Sequence, residues 1–220
     1  MLPFGVPADH LSLESFEFGR ISRSNGRVFR LFKRTFDIAL SVLFLPVLAV
    51  FMAILTLLNP FFNSGRLFFV QKRMGQGCAA FRAIKFRTMR LSHLESRKAD
   101  DPLEVERITE LGKFLRRSRI DELPQILNVL RGEMSLIGPR PDFLEHARHY
   151  IQVVPGYRER HSVRPGISGL AQTEVGYVQS VDATHRKVRA DLHYIQNAGF
   201  RLEAWIIWRT IFVVLKRAGS

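Results

Sequence analysis

With 220 residues, 46% of them hydrophobic, the chain is long enough for one domain with a real core plus a membrane element. Lys and Arg outnumber Asp and Glu by 33 to 20, a formal net charge of +13, which favours anionic partners: phosphate-bearing substrates, lipid head groups or nucleic acid. A single cysteine, Cys78, excludes an internal disulfide and fits a reducing compartment.

Residues 1–26 carry Pro3, Pro7 and a Ser/Asn/Gly stretch and read as a loosely ordered lead-in. Residues 27–60 form the second segment, built around 21 uncharged residues, 38–58. A helix of ~20 apolar residues crosses a ~30 Å hydrocarbon core, so length alone predicts a transmembrane anchor. The flanks argue otherwise. Arg27, Arg30, Lys33 and Arg34 precede the run, and Arg66, Lys72 and Arg73 follow it. Basic flanks stay cytoplasmic, so both ends are expected on one face. Pro46 removes a backbone donor and divides the run into eight residues and twelve, with Leu45-Pro46 as the expected break. A hairpin that enters and returns satisfies both flanks; a straight span with a tolerated proline is the alternative. A cleaved signal peptide fits less well, because the run is too long and no small-residue cleavage site follows it.

Residues 61–220 are expected to fold as a cytoplasmic domain, making the whole an α+β, predominantly helical protein. Asn59-Pro60 should end the membrane helix. Residues 67–71 and 79–86 read as the strands of a β-hairpin, joined through Gly75 and Gly77. Residues 93–107 are polar, a helix or loop. Thr109 can cap a helix through Leu111, Phe114 and Leu115, and a second helix follows Asp121, with Leu123, Ile126, Leu127 and Leu130 at helical spacing and Gly132 at its end. Residues 182–197 carry Val188, Leu192 and Ile195 as a buried stripe. Residues 202–217 form a last helix whose Trp205, Trp208, Phe212, Lys216 and Arg217 suit the interface plane of a bilayer, although packing on the core explains the same stripe.

Charged residues that could do chemistry concentrate between Lys85 and Gly169. Asp121 and Glu122 are adjacent carboxylates ahead of Pro124. Capping of a helix N-terminus, worth ~1 kcal/mol, is the ordinary account of such a pair. Their company shifts the balance: Arg116, Arg117 and Arg119 lie upstream, Arg140 sits between Pro139 and Pro141, and Arg164 precedes Pro165-Gly166. Two prolines fix the backbone around Arg140 and so aim one guanidinium, the planar donor suited to phosphate. Lys85 and Arg87, either side of Phe86, are expected on one strand face as a phosphate clamp. Carboxylates among cations on a membrane-associated basic domain fit phosphoryl transfer: an aspartate attacks phosphorus, its neighbour holds Mg²⁺, and arginines neutralise developing charge.

Six blocks in order carry a family resemblance: residues 32–37 (FKRTFD), 71–75 (QKRMG), 85–89 (KFRTM), 121–130 (DELPQILNVL), 132–141 (GEMSLIGPRP) and 164–169 (RPGISG). Together they resemble the bacterial sugar transferases, the monotopic polyprenyl-phosphate phosphoglycosyl transferases, over roughly residues 30–217. The resemblance implies transfer of sugar-1-phosphate from a nucleoside diphosphate-sugar, usually a UDP-sugar, to undecaprenyl phosphate on the cytoplasmic face of the bacterial inner membrane. It implies Asp121 as the nucleophile of a phosphosugar-enzyme intermediate that releases UMP, with Glu122 and Asp121 at Mg²⁺. Lys85, Arg87, Arg116, Arg140 and Arg164 match positions expected around the diphosphate and uridine, and Asp191 is a further substrate-binding candidate. The family's re-entrant helix, broken at a proline, agrees with a hairpin at Pro46, and larger members carry upstream spanning helices, so the resemblance implies the small form. Membrane lipids are implied partners, and a homodimer stays open.

Two departures stand out. Many relatives have Ser before the helix-breaking proline, where this chain has Leu45, and many continue Ala171-Gln172 with Asn-Gly-Arg, where this chain has Thr173-Glu174-Val175. The sugar is therefore not assigned. Nucleic-acid binding is disfavoured by the absence of zinc spacing, a recognition-helix motif or an aromatic RNA-binding signature. A non-catalytic membrane scaffold of a glycan assembly complex remains the rival class, and it leaves the clustered Lys85, Asp121, Glu122 and Arg140 without a role.

Overall fold

The computed structural model describes residues 26–90, 105–174 and 181–215, with the side chains of residues 105, 181–183 and 214–215 excepted. Residues 1–25 of the lead-in, most of the polar stretch 93–107, the Asp182 side chain, Lys216 and Arg217 lie outside what is described.

The uncharged run is divided between two helices, α1 (Arg27–Leu43) and α2 (Leu45–Phe62), with Phe44 alone between them. Pro46 occupies the first turn of α2, where its missing N–H would have had no intrahelical acceptor. Residues Asn59-Pro60 do not end α2; it runs to Phe62, because the Asn63 N–H closes on the Asn59 carbonyl at 2.9 Å beyond the proline.

Both helices lie against the domain. From α1, Lys33 pairs with Glu203 at 2.7 Å, and Arg34 donates to the carbonyls of Val129 and Leu130 at 2.8 and 3.3 Å. One turn on, the buried Asp37 accepts from the Ser135 hydroxyl at 2.7 Å and the Leu136 N–H at 3.1 Å. The block 32–37 is thus a set of polar locks that seat α1. From α2, Leu48 and Leu55 are buried against Phe86, Leu115 and Ile126, with Leu45 and Met52 beside them on the same stripe. On the other side of α2, Val50, Ile54, Leu57 and Phe61 are exposed. Among the described residues α2 is the helix long and apolar enough to cross a membrane, with a mean hydropathy of 2.1.

Strands β1 (Phe68–Met74) and β2 (Ala80–Phe86) form the expected antiparallel hairpin, with Phe68 opposite Phe86 and Met74 opposite Ala80. Thr109 caps α3 (Glu110–Arg117), its hydroxyl accepting from the Gly112 N–H at 3.0 Å. The α-helix expected directly after Asp121 begins later. Residues Ile120–Gln125 form a 3-10 turn, and only Ile126–Leu130 is α-helical (α4). Pro124 disfavours the α conformation at Leu123, and the tighter turn satisfies the segment instead.

A second, two-stranded parallel sheet joins β3 (Ser135–Ile137) to β4 (Gly166–Ser168), with α5 (Leu144–Val153) between them in sequence. Here the backbones touch: a Cβ on Gly138 would stand 2.6 Å from the Arg164 carbonyl oxygen, and one on Gly166 would overlap the Gly138 backbone. The short α6 (Leu170–Glu174) leads to α7 (Val181–Asn197) and α8 (Phe200–Leu215). Val188, Leu192, Ile195, Leu202 and Ile206 join Met74, Ile137 and Tyr157 in the main core. Helix α8 divides its faces: Leu202 and Ile206 are buried, while Trp208, Ile211 and Phe212 are exposed.

Candidate active site

The 3-10 turn carrying Asp121 and Glu122 is entered through Arg119, a left-handed residue with φ of 58°. Holding a non-glycine residue there costs on the order of 1–3 kcal/mol, and the surrounding contacts must supply it. The capping account of the two acids finds no support, since neither caps the turn and Arg119 makes no side-chain cap bond. Strand β2 crosses the turn and brings Lys85 to it.

The two carboxylates, adjacent and both buried, are treated differently. Glu122 is gripped by Lys85 Nζ at 2.7 Å on Oε1 and by Arg140, whose terminal nitrogens reach both oxygens, while Arg119 stands 3.8 Å from Oε2. Burial opposes its charge, yet the Arg140 and Lys85 cations outweigh burial and hold its carboxyl well below the usual range. Among the described residues no side chain hydrogen-bonds Asp121. Burial and the neighbouring Glu122 charge push its carboxyl up to about 6, with Lys85, Arg140 and Arg116 pulling the other way. Burial, opposed by Glu122, brings the Lys85 ammonium down to about 8. The result is one carboxylate fixed in place and one left available.

Arg140 is aimed by its loop. Each residue from 138 to 142 has a backbone group tied outside the loop, to β4, to Arg160 or to β1: the Gly138 N–H donates to Ser168 (2.8 Å), and the Pro139, Arg140, Pro141 and Asp142 carbonyls accept from the Gly166 N–H (2.9 Å), Arg160 (2.8 Å), Arg73 (2.6 Å) and the Met74 N–H (3.1 Å). Arg73 stood out in the sequence only as a basic flank of the uncharged run and a member of the block 71–75, and Arg160 only as a neighbour of the block 164–169. Arg73, Lys85 and Arg140 line one narrow cleft with Gln125 and Pro141.

The other sequence candidates are placed apart. Lys85 and Arg87 do not form a clamp, because β2 stops at Phe86 and the strand alternation stops with it. The Arg87 guanidinium turns beneath the end of α2, donating to the carbonyls of Arg66 (2.6 Å), Met89 (3.1 Å) and Asn63. Arg116 donates to the Thr88 hydroxyl at 2.9 Å while its charge acts on Asp121. Arg164 donates to the Gly132 carbonyl at 2.8 Å and lines a roomier cleft of about 210 Å³ with Arg30, Lys33 and Arg34 of α1, which contains neither carboxylate. Asp191 is buried in α7 against Arg160, at 2.7–2.8 Å. Leu45 and Pro46 lie at the start of α2.

A family model described as bacterial sugar transferase matches residues 28–217. The chain belongs to that family. It is 38% identical over 194 residues to an Aeromonas hydrophila UDP-N-acetylgalactosamine-undecaprenyl-phosphate N-acetylgalactosaminephosphotransferase, covering 88% of this chain and 46% of that protein. It is 36% identical over 190 residues to a Caulobacter vibrioides UDP-glucose:undecaprenyl-phosphate glucose-1-phosphate transferase, covering 86% and 68%. To a Rhizobium leguminosarum exopolysaccharide production protein it is 37% identical over 195 residues, covering 84% and 96%. The chain thus spans about half the length of the first relative and nearly all of the last. The family match takes in the dyad, the residue-140 loop and both helices of the uncharged run.

Proposed function

We propose that the chain transfers sugar-1-phosphate from a UDP-sugar to undecaprenyl phosphate, through a covalent intermediate on Asp121, at the cytoplasmic face of the bacterial inner membrane. The observation that carries this reading is the unequal pair: Glu122 locked by Lys85 and Arg140, Asp121 buried beside it with no side-chain donor among the described residues. An Asp121 oxygen attacks the sugar-bearing phosphorus; the bond from that phosphorus to the bridging oxygen breaks, and UMP leaves with the bridging oxygen and its electron pair. A phosphate oxygen of undecaprenyl phosphate then attacks the same phosphorus, the acyl phosphate bond breaks, and the Asp121 carboxylate is restored. Lys85 and Arg140 stand where the charge on the phosphoryl oxygens grows.

Mg²⁺ belongs to this reading. Among the described residues no three His, Cys, Asp or Glu side chains group as metal ligands. Two adjacent carboxylates, one without a side-chain donor, fit an ion that takes one or two protein carboxylates and completes its shell with water and phosphate oxygens. Asp121 and Glu122 would hold it, and bound there it would neutralise phosphate charge.

The membrane element is read as a hairpin that dips in and returns. Supporting this, α1 is locked to β3 through Asp37, and α2 is seated on the domain through Leu48 and Leu55, so both helices run along the same domain. The outward apolar residues of α1, α2 and α8 then face lipid, and the acceptor phosphate meets the site at the head-group level.

Purified protein with Mg²⁺, undecaprenyl phosphate and a panel of UDP-sugars is expected to release UMP with ping-pong kinetics, and Asp121→Asn to fall to background. UMP release by Asp121→Asn at the wild-type rate overturns the nucleophile; no turnover with any nucleotide sugar favours the scaffold class.

A further inference from the structure

Arg160 is 1% exposed, and the buried cluster around it accounts for its whole guanidinium. Its Nε and one terminal nitrogen meet Asp191 Oδ2 at 2.8 and 2.7 Å, the other terminal nitrogen meets Asp142 Oδ2 at 2.7 Å, and the face lies 5.0 Å from the Tyr157 ring centroid. Asp142 is itself held by Lys187 Nζ at 2.5 and 2.7 Å and by the Tyr157 hydroxyl at 2.6 Å. One donor is directed out of this cluster, to the backbone carbonyl of Arg140 at 2.8 Å. A buried charge with fixed partners on α5–β4 linker, α7 and the residue-140 loop cannot move without breaking several charge-assisted bonds at once.

We infer that Arg160 is a positioning residue for phosphoryl transfer: anchored by Asp191 and Asp142, it holds the Arg140 backbone so that the Arg140 guanidinium stays on Glu122. This rests on the reading that Asp121, Glu122 and Arg140 perform the transfer. It gives Asp191 a place in the scaffold of the site, since its carboxylate is directed to Arg160. Arg160 touches neither carboxylate of the dyad; its influence passes through one carbonyl. The forked guanidinium is essential to the arrangement, because a lysine in its place has a single nitrogen and cannot serve Asp191, Asp142 and the carbonyl in the same geometry.

A double-mutant cycle tests this. If Arg160 acts through Arg140, Arg160→Lys lowers kcat/KM for UMP release by about 30-fold in the wild-type background and by less than about threefold in an Arg140→Gln background. Equal factors in the two backgrounds overturn the inference, because they show a route that bypasses Arg140. A second readout needs no turnover. Hydrogen exchange at the Gly138 and Gly166 amides, whose bonds hold the residue-140 loop to β4, should quicken in Arg160→Lys while the amides of β2 keep wild-type protection; unchanged exchange at both glycines also overturns it. If the wild type turns over no donor, the reading of function fails, and the exchange measurement decides the positioning role alone. Should Arg160→Lys not fold, Asp191→Asn carries both measurements with the same expected pattern at smaller size.

Discussion

Two buried charge networks meet at residue 140 and are built to opposite ends. Around Arg160, each charge faces its complement: Asp191 and Asp142 answer Arg160, and Lys187 answers Asp142 from the other side. Around Glu122 the cations Lys85, Arg140 and Arg119 converge on one carboxylate, and the second carboxylate, Asp121, is buried next to it with no side-chain donor among the described residues. The first network resembles a fastened joint; the second gathers three cations on one carboxylate and leaves the other beside it. A fold tolerates such an imbalance where a neighbouring region is over-determined.

Breaking the fastened network should produce the largest effect on stability. Asp142→Ala strands Lys187 as a buried cation, leaves Arg160 to Asp191 alone and removes the Tyr157 partner, and loss of one member of a buried ion pair costs about 3–5 kcal/mol. Chemical unfolding at neutral pH is the measurement, and a change below about 1 kcal/mol would mean that water already reaches this cluster. The pH dependence has a definite sign. Burial opposes the Asp142 charge, but Lys187 and Arg160 hold its carboxyl well below the usual range. Its contribution is therefore full above the unfolded carboxyl range, near 3.9, and is lost only as the pH falls through the depressed native value.

Arg140 joins the two networks, and its removal should be felt chiefly in catalysis. Arg140→Gln leaves the carbonyl at residue 140 for Arg160 to hold while deleting the guanidinium over Glu122. Loss of one preorganised donor near a growing phosphoryl charge costs about 10²–10³ in rate. Initial rates of UMP release check this; a rate within threefold of wild type would place Arg140 outside the transfer step.

The dyad's network was legible in the sequence, whereas of the fastened one only Asp191 was marked, and then as a substrate-binding candidate, for a physical reason. Asp121, Glu122 and Arg140 stand in short blocks whose prolines and adjacent charges are unusual in themselves. The cluster around Arg160 is assembled from the α5–β4 linker, the end of the residue-140 loop and α7, and Asp142, Arg160, Lys187 and Asp191 have no common spacing. In the fold, the hairpin, α2, α7 and α8 have periodic apolar patterns that announce them. Strands β3 and β4 are three residues each and pair across a long connection, so no local pattern marks them. The 3-10 turn at Ile120–Gln125 escaped because its helical spacing of leucines continues into α4, and the break depends on Pro124 and left-handed Arg119 together. Arg87 shows the limit of alternation: one residue past the end of β2, it fills a structural role beneath α2.

The smallest effect discriminates best between a joint and a site. Because burial and Glu122 push the Asp121 carboxyl up to about 6, ionised Asp121 destabilises the native state. Below pH ~4 the carboxyl is protonated in both states and carries no penalty; between ~4 and about 6 the unfolded chain gives up its proton while the native state keeps it, and above that the penalty is full. Asp121→Asn should therefore abolish UMP release and at the same time make the protein more stable at pH 8, by up to about 2 kcal/mol, with the gain vanishing near pH 4. Thermal unfolding of the two proteins across that range is the check. A variant less stable than wild type at pH 8 would mean that Asp121 belongs to the fastened kind of network, and that its charge is there to hold the turn.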